Sequence, residues 1–254
     1  MKILITGGNG YIAKSLYSGL KDKYDITLIT RQNFDLTNSF ETTKFFSDKY
    51  FNIVIHCAVS GGSRLRPDTS EDLDNNIKMY YNLLNCKDKF EKFLHFGSGA
   101  EIYAQDTPYG LSKHIIRQSI LDKENFYNLR IFAVFDENEL DTRFIKSNIK
   151  KYINKESIVI HQNKFMDFFY MKDLIMLVDY CILNSIPKEI NCIYSKAGTL
   201  ERIAQIINEL DNHKVPIVKL DPTEGKGYFG GKDWLHMPFI GLEQGIKEVY
   251  SKLK

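Results

Sequence analysis

Two side chains four residues apart, Tyr109 and Lys113 in the run PYGLSK, have the types and spacing for moving a proton to and from an oxygen. Four residues along a helix bring both onto one face. A phenol with a reference pKa of ~10 is a poor proton donor or acceptor near neutrality, and a neighbouring ammonium lowers that value by stabilising the phenolate. Tyr109 can then exchange a proton with a carbinol or carbonyl oxygen.

A second group opens the chain, MKILITGGNGYIA from Met1 to Ala13. The apolar run Ile3, Leu4 and Ile5 ends at Thr6-Gly7-Gly8-Asn9-Gly10, and a helical pattern of Tyr11, Ile12, Leu16 and Leu20 follows. Strand, glycine turn and helix in this order let a backbone approach the pyrophosphate of a dinucleotide, whose charge the helix N-terminus stabilises. Gly7 serves the turn, Gly10 the close approach and small Ala13 the packing of helix on strand. The pyrophosphate is expected over Gly7, Asn9, Gly10, Tyr11 and Ile12.

Composition narrows the alternatives. The 254 residues are 43% hydrophobic and 26% charged, which suits a globular chain of one large or two small domains. No stretch nears ~18 consecutive apolar residues, and the chain opens on a strand rather than a signal core, so a cytoplasmic location is expected and a membrane partner is not. A net charge of +2, with basic residues spread along the chain, gives no polyanion surface, and nucleic acid is not expected as a partner. Cys57, Cys86, Cys181 and Cys192 lie far apart, and the six histidines lack ligand spacing. Free buried thiols and no metal site are the expectation.

The elements that must hold these groups alternate. Strands are expected at Asp25 to Thr30, Asn52 to Ala58, Phe93 to Phe96 and Asn128 to Phe135; helices at Asn38 to Tyr50, Ser70 to Cys86 and from Pro108 onward. The pattern predicts an α/β fold: a Rossmann-type doubly wound parallel sheet with a small C-terminal portion. Beyond Asp136 we expect helices at Leu140 to Ile153, Met171 to Leu183, Thr199 to Leu210 and Leu242 to Leu253. Strands are expected there at Ser157 to His161, Glu189 to Ile193 and Val215 to Leu220, with a Gly-rich loop from Gly225 to Gly231. The domains expected are residues 1–135 for the dinucleotide, with 165–193 returning to it, and 136–254 as a smaller substrate-binding portion.

Taken together, TGGNGYIA, FGSGAEIY at Phe96 to Tyr103, PYGLSK, DFFYMKDL at Asp167 to Leu174 and IGLEQGIKEVY at Ile240 to Tyr250 resemble the extended short-chain dehydrogenase/reductases. These act on nucleotide-activated sugars and form the NAD-dependent epimerase/dehydratase family. The span ITLITRQNFDLTNSFETTKFF followed by HCAVSGG looks most like the GDP-fucose synthase group and, more loosely, the dTDP-4-dehydrorhamnose reductases. The resemblance implies Tyr109 as general acid/base, Lys113 on the nicotinamide ribose, Asn76 beside a proton-relay water and Ser98 holding the substrate oxygen. In many relatives the Ser or Thr aligns one position later, at Gly99. It also places Asp35 and Leu36 near the adenine, and Cys57 and Ala58 along the cofactor.

Arg31 ends the second strand where an acidic residue would bind a ribose 2′-hydroxyl, so NADP is the expected cofactor, with NAD as the alternative. The reaction implied is NADPH-dependent reduction of a 4-keto sugar. Where the fucose synthases carry an epimerising cysteine, this chain has Glu101, the residue type that removes a C5 proton in 4,6-dehydratases, although the partner acid of those enzymes falls at Ala100. An epimerase or dehydratase using Glu101 is therefore the alternative, and a solvated loop carboxylate the bland reading of that residue. A dinucleotide binder without catalysis is the reading from another class. Candidate phosphate partners on the C-terminal portion are Arg143, Lys146, Lys164 and Arg202, for which solvated side chains are the default. Relatives imply a homodimer through the helices Pro108 to Leu121 and Ser70 to Cys86.

Overall fold

The computed structural model describes residues 1–63, 65–231 and 235–254. They divide into two compact units, one of Met1–Arg130 with Val178–Ile190, the other of Ile131–Leu177 with Asn191–Lys254. The stretch that comes back to the first unit is thus Val178–Ile190.

The first unit alternates β1 (Lys2–Thr6), α1 (Tyr11–Leu20), β2 (Asp25–Leu28), α2 (Ser39–Phe46), β3 (Phe51–His56), α3 (Ser70–Asn85), β4 (Phe90–Ser98), a short α4 (Ala100–Tyr103), α5 (Pro108–Leu121) and β5 (Phe126–Ile131). The second carries β6 (Val134–Phe135), α6 (Phe144–Ile153), β7 (Ile158–Asn163), β8 (Phe165–Met166), β9 (Phe169–Tyr170) and the start of α7 (Met171–Leu183), which runs back into the first. After β10 (Glu189–Cys192) come β11 (Gly198–Thr199), α8 (Leu200–Asn208), β12 (Ile217–Glu224) and α9 (Leu242–Leu253).

One six-stranded sheet has the order β10-β5-β4-β3-β1-β2. β1 pairs in parallel with both β2 and β3, and β3 with β4. Strand order reverses between β1 and β3, so ligands are expected beyond the carboxyl ends of those two strands. Ile3, Leu4 and Ile5 are fully buried, as a central strand covered on both faces requires. Around them, Phe46, Phe51, Phe90, Phe93 and Phe126 form an aromatic core, with the rings of Phe93 and Phe126 stacked at 4.7 Å. In the second unit, Ile145, Ile149 and Tyr152 of α6, Ile203 and Ile207 of α8, and Ile246 and Val249 of α9 share a separate core with β7.

Several boundaries differ from the pattern in the sequence. The run expected as one strand from Asn128 to Phe135 breaks at Phe132 and Ala133. β5 stays in the main sheet, whereas β6 pairs with β9. A strand-prone run with no Gly, Pro or turn cluster inside it cannot reveal that its two ends pair with different partners. β4 begins at Phe90 rather than Phe93, and α2 is shorter than expected at both ends. β12 continues through Pro222 because the register shifts between Asp221 and Glu224, and such an irregularity tolerates a missing donor.

The DFFYMKDL motif does structural work in the second unit. Asp167 accepts from the Gly230 amide at 2.8 Å, and Asp173 accepts from the amides of Ile240 and Gly241 at 2.8 and 3.0 Å, which caps the approach to α9. Cys57 is half-buried and the other three cysteines are buried, all as free thiols. Among the described residues no helix is long and apolar enough to cross a membrane, and no group of acidic, His and Cys side chains has the makings of a metal site.

Candidate active site

The turn after β1 needs glycine at one position for two separate reasons. Gly7 has φ of 70°, and a Cβ there would stand 2.7 Å from the Ala58 backbone. The next strand end is therefore packed directly on the turn, and Thr6 ties the two together by accepting from the amides of Cys57 and Ala58 at 3.2 and 3.1 Å. α1 starts at Tyr11 with Gly10 as its N-cap, a residue with no side chain to cap the first turn.

A cavity of about 420 Å³ opens beside this turn. Its lining includes Gly7, Asn9, Gly10, Arg31, Asp35, Leu36, Cys57 and Ala58, all expected from the sequence. Tyr11 and Ile12 begin α1 but stand outside the lining, as do Tyr109 and Lys113. The Thr30–Asn33 turn presents Arg31 at the rim, with the Thr30 amide donating to Asn33 Oδ1 at 2.8 Å. Asp35 accepts from the Thr37 amide at 2.9 Å. A glycine cradle that a Cβ would fill, an uncapped helix start and a cation at the far rim fit a phosphate-bearing dinucleotide.

Sequence reasoning missed part of the same wall. Phe34, Ser60, Gly61, Arg66 and Met79 also line the cavity. Arg66 makes a two-pronged pair with Asp72 at 2.6 and 2.7 Å, and Asp72 also accepts from Ser60 Oγ at 2.6 Å and the Thr69 amide at 2.8 Å. Arg66 and Ser60 together hold the Asp72 carboxyl well below the usual carboxylate range. A Thr-x-x-Asp spacing is the local signal for Thr69 and Asp72, the capping box that opens α3, whereas Met79 farther along the same helix reaches the cavity only through the fold.

α5 presents the proton-transfer pair. Pro108 sits in its first turn and Thr107 Oγ1 accepts from the Gly110 amide at 3.0 Å, which fixes where the helix begins and hence where Tyr109 points. Lys113 Nζ lies 5.9 Å from the Tyr109 ring centre and donates to the Phe96 carbonyl at 2.7 Å. Lys113 is only 4% exposed, and burial pulls its pKa down to about 8, with Glu101 and Cys57 opposing. Over the Tyr109 ring lies the Gly61–Gly62 turn: a Cβ on Gly62 would stand 2.7 Å from Cζ. Gly61 of the same turn lines the cavity, while Gly62 abuts the Tyr109 ring.

Asn76, expected beside a relay water, is engaged with protein on both ends of its amide. It accepts from the Ser60 amide at 2.7 Å and donates to the Ser60 carbonyl at 2.9 Å and to Ser112 Oγ at 3.0 Å. It thus fastens the loop after β3 to α3 and α5. Ser98 ends β4, buried, and its Oγ accepts from the Ala100 amide at 3.2 Å.

Glu101 is buried rather than solvated and lies outside the lining of the cavity beside the glycine turn. It is 1% exposed, pairs with Arg130, and accepts from Asn128 Nδ2 at 2.9 Å and the Ser98 amide at 3.3 Å. Arg130 and Arg117 both reach Glu189 at the head of β10, at 2.6 and 2.5 Å, so two carboxylates and two guanidiniums balance. Burial raises the affinity of Glu101 for a proton, and Arg130 opposes that shift. In the second unit Lys146 is buried too, donating to the Glu139 carbonyl at 2.7 Å and pairing with Asp141 at 2.8 Å.

Comparison with known proteins bears on this geometry. The pattern of the family described as the NAD dependent epimerase/dehydratase family matches residues 3–192. GDP-L-colitose synthase of Yersinia pseudotuberculosis is 27% identical over 161 residues, which are 61% of this chain and 48% of that protein. The chain thus matches about half the length of that relative. CDP-abequose synthase of the same organism is 22% identical over 249 residues, 85% of this chain and 87% of that protein. The structure of dTDP-4-dehydrorhamnose reductase from Bacillus anthracis in complex with NADP superposes with a TM-score of 0.78 at 17% identity, over 99% of this chain and 98% of that one. That last likeness is one of fold.

Proposed function

The chain belongs to the NAD dependent epimerase/dehydratase family, and on that premise we propose that it reduces the 4-keto group of a nucleotide-linked sugar with NADPH. The observation that carries this reading is the state of Glu101. Removing a proton from carbon requires a base that reaches the substrate, and this carboxylate is enclosed by Arg130, Asn128 and the Ser98 amide. Carbonyl reduction requires one hydride and one proton, and Tyr109 with Lys113 suffices for the proton.

Bound NADPH supplies the hydride. Tyr109 Oη delivers its proton to the oxygen of the carbonyl as charge develops there, and the Lys113 ammonium stabilises the phenolate that remains. Ser98 Oγ, oriented by the Ala100 amide, holds the same oxygen. Asn76 keeps the loop after β3 against α5, so that the Gly61–Gly62 turn fixes the Tyr109 ring. Gly7, Asn9, Gly10, Cys57 and Ala58 would hold the dinucleotide along the cavity wall, with Asp35 and Leu36 toward the adenine and Arg31 for the 2′-phosphate. The NADP of the reductase complex and the nucleoside diphosphate in the names of both Yersinia relatives support these choices of ligand. The chain works in the cytoplasm as a homodimer through α3 and α5, whose Tyr81 and Leu111 are exposed.

Turnover is tested by following NADPH consumption with GDP-, CDP- and dTDP-linked 4-keto sugars. Tyr109→Phe should lower kcat by at least about 100-fold on whichever is accepted. Turnover unchanged by that substitution would overturn the mechanism, and a monomer in light scattering would overturn the assembly.

A further inference from the structure

Beneath Lys113 a row of polar side chains runs across the carboxyl ends of three strands, and the mechanism above uses none of it. Thr6, His56 and His95 lie side by side, Thr6 opposite His56 in the β1–β3 register and His56 opposite His95 in the β3–β4 register. All three are at most 2% exposed. Thr6 Oγ1 is 2.8 Å from His56 Nδ1, the two imidazoles are 5.5 Å apart between ring centres, and His95 Nε2 is 3.5 Å from Lys113 Nζ.

The hydrogen-bond inventory assigns the protons in this row. A hydroxyl has one proton and two lone pairs, and Thr6 Oγ1 already accepts from the amides of Cys57 and Ala58. Its proton therefore goes to His56 Nδ1, which leaves His56 neutral with its proton on Nε2. Burial drives both imidazoles far from the charged form, to about 3 for His56 and well below the ordinary value for His95. In both rings burial favours the neutral form. Among the described residues His95 Nδ1 has no hydrogen-bond partner, and the ring's Nε2 faces Lys113 Nζ.

We propose that His95 is a positioning residue for Lys113: its Nε2 lone pair accepts from the ammonium and, with the Phe96 carbonyl, holds Nζ beneath Tyr109. The functional part of this inference rests on the proton-transfer role given above to Tyr109 and Lys113. A neutral imidazole is suited to the task because it accepts without adding charge, whereas a carboxylate at this spot would bind the ammonium too firmly for it to serve a phenolate. With the ammonium donating, His95 must keep its proton on Nδ1. When Lys113 loses its proton, that constraint lapses, because Nε2–H can then donate to the amine. The tautomer of His95 thus reports the charge of Lys113. The groups facing Lys113 are Tyr109 on its own helix, Glu101 from α4, Cys57 after β3, and the two histidines. Among them Glu101 is charge-balanced by Arg130, and burial keeps the Cys57 thiol protonated.

The test uses the full chain labelled with nitrogen-15 in its histidines and read by NMR from pH 6 to 10, without substrate. His95 is expected as the Nδ1–H tautomer at pH 6, with its Nε2 resonance moving through one step near pH 8 that vanishes in Lys113→Met. An Nε2–H tautomer at pH 6, or a step that survives Lys113→Met, would overturn the assignment. In turnover, losing an acceptor for a buried ammonium should move the alkaline limb of the kcat/KM profile of His95→Phe down by at least about one pH unit. His95→Gln, which can still accept at the same place, should restore it. A His95→Phe profile that coincides with the wild type, in protein shown folded by its melting curve, would also overturn the proposal. Because the nitrogen shifts need no turnover, an absence of activity on every nucleotide sugar would sink the proposed function and leave the His95 assignment standing.

Discussion

Replacing Gly62 by alanine tests whether the turn after β3 positions the proton donor. Gly62 has φ of 68°, and its ideal Cβ would stand 2.7 Å from Cζ and 2.8 Å from Cε2 of Tyr109. The left-handed backbone costs a non-glycine residue roughly 1–2 kcal/mol. The contact must open by about 1 Å to reach ordinary van der Waals separation, and forcing an extra methyl into a packed site costs a further ~1–3 kcal/mol if nothing yields. Melting should therefore fall by roughly 5–15 °C. If the ring yields instead, Tyr109 moves by about 1 Å, and a displacement of that size at a reacting group lowers kcat about 100-fold. NADPH affinity should stay within a few-fold, since Gly62 is outside the cavity lining. Gly241→Ala is the control, because Gly241 has φ of 89° with nothing within 4 Å of its Cβ, so it carries backbone strain without a collision. Both variants are followed by thermal melting, NADPH fluorescence titration and steady-state turnover. A Gly62→Ala enzyme that melts early but keeps wild-type kcat would refute the claim that this turn positions Tyr109.

Glu101→Gln should lower melting by roughly 10 °C, since it leaves the buried Arg130 to share the one remaining carboxylate, Glu189, with Arg117 at a cost of ~3–5 kcal/mol, while turnover per folded molecule stays within a few-fold. A large loss of kcat at unchanged melting temperature would restore Glu101 as a proton-transfer group. Arg31→Ala should weaken NADPH binding at least about tenfold and NADH binding little; equal losses for the two would remove the 2′-phosphate contact. Asp72 is held below its unfolded pKa of ~3.9, so its stabilising effect is present above that value and is lost as pH falls through the folded one. Urea unfolding of Asp72→Asn between pH 5 and 2 should show a shallower acid decline than the wild type, and an identical decline would contradict the assignment.

Much of the first unit was legible because its signals are local. A glycine turn between strand and helix, a Pro at the first turn of α5 and a Tyr-Lys pair at four-residue spacing depend on backbone geometry within a few residues. So did the alternation that predicts a parallel sheet. What could not be read was set by partners distant in sequence. Glu101 looked like either a base or a solvated loop residue; that it is buried and paired depends on Arg130, 29 residues away, and on Glu189 beyond it. Asn76 looked like a water holder, and its amide is engaged because Ser60 and Ser112 come to meet it.

The amino-acid order by itself determined the Gly7–Gly10 turn, the α5 pair and the family, because each is encoded in a short run whose spacing survives any arrangement of the rest. Only tertiary structure decided the protonation and engagement of the side chains around that pair. Burial and opposing charge act through space, so the pKa of Lys113, the pairing of Glu101 and the contact of His95 with Lys113 exist only once β1, β3 and β4 lie side by side under α5.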